Sequence, residues 1–576
     1  MQHPVSTDAS SFPILDNAPE ERPAACAEHS SLLQQYLVEQ QDVTAVERFS
    51  QLHEQHALPP QEKYYRGLLP LSQPELGQQY GFEVDLDRCS GCKACVTACH
   101  SLNGLEAGET WRAVGLLHGG SSEHPIQKTV TWTCHHCLEP ACMHGCPVGA
   151  YDKDLLTGIV RHLDDQCIGC RYCVLTCPYE VPQYNARLGI VRKCDMCVDR
   201  IAEGEAPACV QACPNMAIAI RLVDQEAIRE DAQGDAFLPG VPSPGITLPT
   251  TQYITQQPFP RNLLPADFYA VRPAQQHLPL VFMLVLTQLS VGAFCVTQVL
   301  PLGWADTTSV LLQPFHGLLA LLFGCLAMLA SLAHLGRPQY AWRVFIGMRT
   351  SWLSREILAF GMFAAMAALY ATGLYQVHRL PEGVQWLVVP LGHATALVGL
   401  VAVLCSVMLY HVTHRTWWSG GRTGFKFACT SALLGWAITL CTPFAVVALR
   451  GDSLRPELVA FAHLGALGLA LLTLLKLGGE ASVFWHLRDR QQGDLKRTAL
   501  LLWGELRTLT SARFMLGIGG GVVLPLTLFH TLTPDSSGRA LVVSLLSLGA
   551  LLAGEVLERM TFFTALSAPH MPGGWS

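Results

Sequence analysis

Residues 167–185 read CIGCRYCVLTCPYEVPQYN, and the spacing of the four cysteines in that stretch decides what the front of the chain is. Cys167, Cys170, Cys173 and Cys177 follow C-x2-C-x2-C-x3-C, with Pro178 behind them. In that spacing three thiolates grip one [4Fe–4S] cluster and the fourth reaches a second. Three variants surround it. Cys89, Cys92, Cys95 and Cys99 precede His100 instead of proline; Cys134, Cys137, Cys142 and Cys146 have one widened gap; Cys194, Cys197, Cys209 and Cys213 carry an eleven-residue insertion. Each cubane takes four soft ligands, so these sixteen thiolates predict four [4Fe–4S] clusters. Structural zinc also uses C-x2-C pairs, but it has no use for a third cysteine two residues on or for a Cys-Pro ending, and three of the four motifs end that way. His100, His135, His136 and His144 stand among the ligands, where each could tune a cluster through contacts behind its ligands, but they read first as solvated or capping side chains.

Outside the motifs the 576-residue chain divides sharply. Residues 1–270 carry 18 Lys and Arg against 33 Asp and Glu, a net charge of −15; residues 271–576 carry 20 against 12, a net of +8. The second part holds repeated apolar runs of bilayer-spanning length, which excludes a wholly soluble protein. The acidic front argues against a nucleic-acid partner, since that would need a basic face. No charged start followed by a short apolar run opens the chain, so no secretory signal is visible and a disulfide framework is not expected.

Five regions are expected. Residues 1–79 are a polar tail with docking helices over 31–57; 80–222 are the cysteine-rich unit, an α+β ferredoxin-like domain of two bis-cluster folds. Residues 223–277, with eight prolines, are an extended connector. Residues 278–565 are an all-α polytopic membrane bundle, and 566–576 a tail. Eight helical spans are read near 278–300, 309–333, 356–377, 387–411, 425–449, 458–479, 512–533 and 540–561, with an amphipathic interfacial segment between the sixth and seventh.

With TCHHCLEPACMHGCPVGA at 133–150 and KCDMCVDR at 193–200 added, the unit resembles the four-cluster electron-transfer subunit of dimethyl sulfoxide reductase family molybdoenzymes. LAHLGRPQYAWRVF (332–345), RTSWLSREI (349–357) and GEVLERMTFF (554–563) resemble the quinone-reacting, haem-free membrane anchor of the same enzymes, fused here behind the iron–sulfur unit. The resemblance implies that motif one pairs with four and motif two with three. Cys89, Cys92, Cys95 and Cys213 then hold the cluster nearest a molybdopterin catalytic subunit, and Cys99, Cys194, Cys197 and Cys209 the next. Cys134, Cys137, Cys142 and Cys177 hold the third, and Cys146, Cys167, Cys170 and Cys173 the one facing the membrane.

Polar residues that end or begin apolar spans are costly in lipid and mark function. His334 ends the second span and Glu356 begins the third, on the face that carries the iron–sulfur unit. A histidine and a carboxylate suit quinone chemistry, which moves protons with electrons. The alternative without chemistry has His334 capping its helix and Glu356 paired with Arg355 or Arg343; Glu480, Glu555 and Glu558 are weaker quinone candidates. Haem is not expected, because His316, His393, His411, His463 and His530 are scattered over several spans. Loops on the iron–sulfur side carry 13 Lys and Arg against four opposite, which predicts a bacterial inner membrane protein with its iron–sulfur domain in the cytoplasm.

The expected function is an electron wire between membrane quinone and a molybdopterin subunit, in a sulfite dehydrogenase-like, nitrate reductase-like or dimethyl sulfoxide reductase-like complex. The alternative is a quinone–cytochrome energy-coupling module of polysulfide-reductase or alternative complex III type. A continuous series of buried carboxylates across the bilayer would favour it.

Overall fold

The computed structural model describes residues 66–573 apart from 71, 300–308, 378–380, 382–384, 452 and 535. The helices expected over 31–57 lie outside the described residues.

The iron–sulfur unit is built from small sheets that bracket the cysteine loops. Strand β1 (Gln78–Asp85) pairs antiparallel with the late strand β8 (Ile218–Asp224), placing Phe82 opposite Ile220. This single pairing closes motifs one and four into one half. The hairpins β4 (Tyr151–Lys153) with β5 (Val160–His162), and β6 (Gln183–Asn185) with β7 (Ile190–Arg192), flank motifs two and three as the other half. A longer hairpin, β2 (Ala113–Gly120) with β3 (Pro125–Trp132), fills the sequence between motifs one and two. Short helices begin inside or beside the motifs, at Ala94, Ala141, Tyr172 and Ala208. Before two of them, Lys93 and Arg171 adopt left-handed φ of 61° and 60°, so that the chain turns from cysteine loop into helix.

The connector is more than extended chain. It forms a helix over Gln225–Gln233, capped by the Asp224 carboxylate, and two strands. Strand β9 (Gln252–Ile254) lies parallel to β1, and β10 (Leu264–Pro265) pairs with β2. Its prolines limit these strands to edge positions and a few residues, but the free N–H and C=O groups of β1 and β2 still recruit it. The same packing explains Gly81, where a side chain would meet the Thr250 carbonyl at 2.5 Å. The end of the chain is also docked. Leu116 N–H donates to Gly573 O, Trp132 Nε1 donates to Pro572 O at 3.0 Å, and Met571 is buried.

Among the described residues, eight helices that are long and apolar enough to cross a membrane follow: Leu278–Val299, Leu312–Leu332, Trp352–Gln376, Val388–His411, Gly420–Arg450, Pro456–Arg488, Arg507–Thr531 and Ser537–Thr564. The first and fifth are the most enclosed, while Leu318, Leu322, Leu326 and Leu329 make an exposed stripe on the second. Such a stripe suits lipid contact, because hydrocarbon solvates leucine as well as a protein core does. The Gly-rich seventh helix stays continuous through one π turn at Gly519–Val523, and Asp494–Trp503 forms the short amphipathic helix before it.

The two parts meet at the loop after the second span. Gly336 and Gly189 approach so closely that a Cβ on Gly336 would lie 2.1 Å from the Gly189 carbonyl oxygen. Arg337 N–H donates to Ile168 O at 3.0 Å, Gly347 N–H to Pro147 O at 2.8 Å, and Ser351 Oγ to Gly145 O at 2.7 Å. These three carbonyls belong to motifs two and three or lie directly beside them.

Candidate functional site

None of the sixteen motif cysteines forms a disulfide. Packing alone does not account for them, since a buried thiol behaves as a small hydrophobe and contributes little that alanine or valine would not. Their neighbours define groups. Cys89 lies within electrostatic reach of Cys92, Cys95 and Cys213. Cys99 and Cys194 lie near Cys197, and Cys99 near Cys209. Cys137 and Cys142 face Cys134 and Cys177, while Cys170 and Cys173 face Cys146 and Cys167. Successive groups also adjoin: Cys95 lies by Cys209, Cys134 by Cys194, and Tyr151 stands beside Cys142, Cys146 and Cys173.

The donor set fits cubane clusters. Burial pushes the Cys99 thiol up to about 12 and those of Cys177 and Cys209 up to about 11, so these sulfurs ionise at neutral pH only where a cationic core replaces their protons. One hollow is framed by Cys134, Cys137, Cys142 and Cys177, and another by Cys89, Cys92, Cys95 and Cys213. Buried Arg112 Nη2, Tyr151 Oη and His162 Nε2 meet no oxygen or nitrogen acceptor among the described residues, and their side chains turn toward the sulfurs of Cys209, Cys173 and Cys167. Cluster sulfide and thiolate are suitable acceptors for such donors.

The structure corrects the expectation for two histidines. His135 and His136 are buried, not solvated, and line the hollow framed by Cys134, Cys137, Cys142 and Cys177. The connector covers them: Thr251 Oγ1 lies 2.8 Å from His135 Nδ1, and Thr250 N–H donates to His135 O. Burial, with the Arg112 charge added, lowers His135 to about 3 and keeps it neutral. His100 instead contacts Glu106 O at 3.1 Å.

On the membrane side, a cavity is lined by Cys170, Tyr172, His334, Glu356, Phe360 and Tyr410, among others. His334 and Glu356, which belong to successive spans, thus face one space that a motif-three cysteine also borders. The ion-pair alternative does not describe Glu356: its carboxylate accepts from Ser406 Oγ, while Arg355 donates to the carbonyls of Met348 and Arg349 and Arg343 to that of Asp165. His334 lies just beyond its helix, its ring edge-on to His277 with centroids 5.6 Å apart. Burial first, then the Arg171 and His277 charges, lower it to about 4, leaving a neutral imidazole. Sequence reasoning misses Tyr172, Tyr410 and His277; only Tyr172 carries a local signal, its place inside motif three.

Glu480, Glu555 and Glu558 do not line this cavity. They form a separate buried ion layer. Glu555 accepts from Lys476, from Arg513 at 2.8 Å and from Thr430 Oγ1 at 2.8 Å. Glu480 pairs with Arg513 at 2.9 Å, and Glu558 with Lys426 at 3.4 Å and Arg559 at 3.1 Å. Of the histidines weighed for haem, His316 contacts Thr442 Oγ1 and Ala293 O through its two nitrogens, and His411 Nδ1 accepts from Gly420 N–H.

Comparison with known proteins agrees with both parts. Residues 127–222 match the family described as a 4Fe-4S dicluster domain, and residues 273–565 match the DMSO reductase anchor subunit (DmsC) family. The front part is 40% identical over 155 residues to the B subunit of the anaerobic dimethyl sulfoxide reductase of Escherichia coli (strain K12), covering 26% of this chain and 75% of that protein. It is 36% identical over 181 residues to the corresponding B subunit of Haemophilus influenzae, covering 30% of this chain and 87% of that one. A Hydrogenase-2 operon protein, HybA of Escherichia coli O157:H7, is 33% identical over 195 residues, 29% of this chain and 59% of its own length.

Proposed function

Because this protein belongs to the DMSO reductase anchor-subunit family, with an iron–sulfur unit of the B-subunit family fused ahead of the anchor, we propose that it passes electrons between a membrane quinone and a molybdopterin catalytic subunit through four [4Fe–4S] clusters. Electron transfer and membrane anchoring follow from the family itself. The four cysteine groups are the ligand sets: Cys89, Cys92, Cys95 and Cys213; Cys99, Cys194, Cys197 and Cys209; Cys134, Cys137, Cys142 and Cys177; Cys146, Cys167, Cys170 and Cys173. Bound there, the clusters supply a one-electron relay.

The observation that carries the quinone assignment is the cavity shared by Cys170, His334 and Glu356. Its apolar walls, Phe360 and Leu280 among them, suit a lipid-soluble ring, while His334 and Glu356 offer proton acceptors beside it. The catalytic partner docks at the opposite end of the wire, where Cys92 is exposed. The iron–sulfur unit faces the cytoplasm of a bacterial inner membrane, on the 13-to-4 loop count. Arg337 and Arg343 in that count also bind carbonyls of the iron–sulfur unit, so they serve docking as well as topology. The energy-coupling alternative ranks second, because Glu480, Glu555 and Glu558 all sit toward the iron–sulfur ends of their helices and form no series across the bilayer.

The test is quinol-driven reduction of the clusters in His334→Leu and Glu356→Gln. Both variants should keep their iron and accept electrons from the partner side, yet exchange electrons slowly with a quinol analogue. Full quinol activity in both would place the site elsewhere.

A further inference from the structure

Arg112 is an outlier among the charged residues of the iron–sulfur unit. It is 2% exposed, and no carboxylate among the described residues forms an ion pair with it. Burying an unpaired guanidinium is expensive, so its counter-charge must be close and fixed. The nearest anionic groups are sulfurs: Cys209, Cys95, Cys194 and Cys99. Three of these belong to the second ligand set and one to the first. The side chain is held in place from outside. Nη1 donates to Thr131 Oγ1 at 3.2 Å, that hydroxyl donates to Ala113 O and lies 3.6 Å from Cys95 Sγ, and the guanidinium sits 4.8 Å from the centre of the Phe82 ring. Nη2 is buried and donates to no oxygen or nitrogen among the described residues; the guanidinium turns instead toward the Cys209 sulfur. The buried carboxylate nearest in sequence, Glu109, is already engaged by Arg192 and Asn185.

From this placement we propose that Arg112 is the fixed counter-ion of the second cluster, holding its reduction potential above the value that the same four thiolates would give alone. The proposal rests on the four-cluster reading above. Adding one electron to a cubane makes the cluster and its thiolates one unit more negative. A guanidinium that cannot lose its proton favours that reduced state, and the low-dielectric interior strengthens the effect. Arg112 neither gives nor takes an electron or a proton. It is a positioning residue for charge. Of the thiols that act most strongly on Arg112, only Cys95 belongs to the first set and none to the third or fourth, so the effect is largest at the second cluster.

The experiment is an EPR-monitored potentiometric titration of the membrane-bound complex, comparing the unaltered protein with Arg112→Met and Arg112→Lys. The midpoint of the cluster held by Cys99, Cys194, Cys197 and Cys209 should fall in Arg112→Met. The first cluster should move less, the other two should stay, and Arg112→Lys should restore much of the loss. Four unchanged midpoints in Arg112→Met would overturn the proposal. Where Arg112→Met loses iron, Arg112→Lys is compared with Arg112→Gln, and equal midpoints overturn it. Loss of the second cluster in all three variants makes Arg112 an assembly residue and overturns it too. An unaltered protein with too little iron for four clusters would sink the underlying cluster reading instead, before any variant is compared.

Discussion

The Tyr172 hydroxyl donates to the backbone carbonyl of Leu409 at 2.7 Å, joining the middle of the third cysteine motif to the fourth membrane helix. Tyr172 is buried, packs within the hydrophobic core of the membrane bundle, and lines the cavity of His334 and Glu356. The carbonyl it satisfies lies near the end of the helix Val388–His411, where helical partners run out. One side chain therefore ties the motif-three loop directly to the wall of the cavity that holds His334 and Glu356.

Tyr172→Phe should keep its clusters and lose that tie, at a cost of about 1 kcal/mol for one hydrogen bond, more if the carbonyl is left dry. The expected signature is slower quinol-driven cluster reduction at unchanged iron content, read by stopped-flow absorbance. Unchanged rates would show that the cavity keeps its distance from Cys170 without this bond.

Cluster stoichiometry is checked by analysis of anaerobically purified protein, which should contain about 16 iron and about 16 acid-labile sulfide per chain if four cubanes are bound. Cys170→Ser should alter the membrane-facing cluster and spare the pair built from motifs one and four. Stoichiometric zinc, or about half the iron, would mean a misread motif.

Orientation is open to a simple reporter. Residues 571–573 run along the iron–sulfur sheets, so a tag fused after Ser576 shares their side of the membrane. A reporter that works only in cytoplasm should be active there, and one that needs periplasmic oxidation inactive. The opposite pattern overturns the cytoplasmic assignment.

The ion layer should matter for folding rather than for quinone. Glu555→Leu strips Lys476 and Arg513 of a shared, fully buried carboxylate, a change expected to destabilise the bundle by about 3–5 kcal/mol. Thermal unfolding in detergent should show a large loss for Glu555→Leu and a smaller one for Glu480→Gln, since Arg513 keeps Glu555 when Glu480 is neutralised. Equal and negligible losses would mean the layer is not held by its pairs.

What the sequence alone determined is local chemistry and length. Cysteines three and four positions apart must share a loop, so the clusters were legible from C-x2-C-x2-C-x3-C without any coordinates. An apolar run of bilayer length has few alternatives to a spanning helix, so the eight spans were legible too. His334 and Glu356 were legible as polar residues where lipid disfavours them. Everything that depends on which distant surfaces meet was left to the tertiary structure. The connector read as extended because prolines dominate it, yet unpaired strand edges on β1 and β2 recruit it and bury His135. Glu480, Glu555 and Glu558 read as quinone candidates because nothing in a single helix shows that Lys476, Arg513, Lys426 and Arg559 reach them. Arg112 carried no signal at all, since its counter-charges come from Cys95, Cys99, Cys194 and Cys209, brought together only when β1 pairs with β8 and motif four folds back onto motif one.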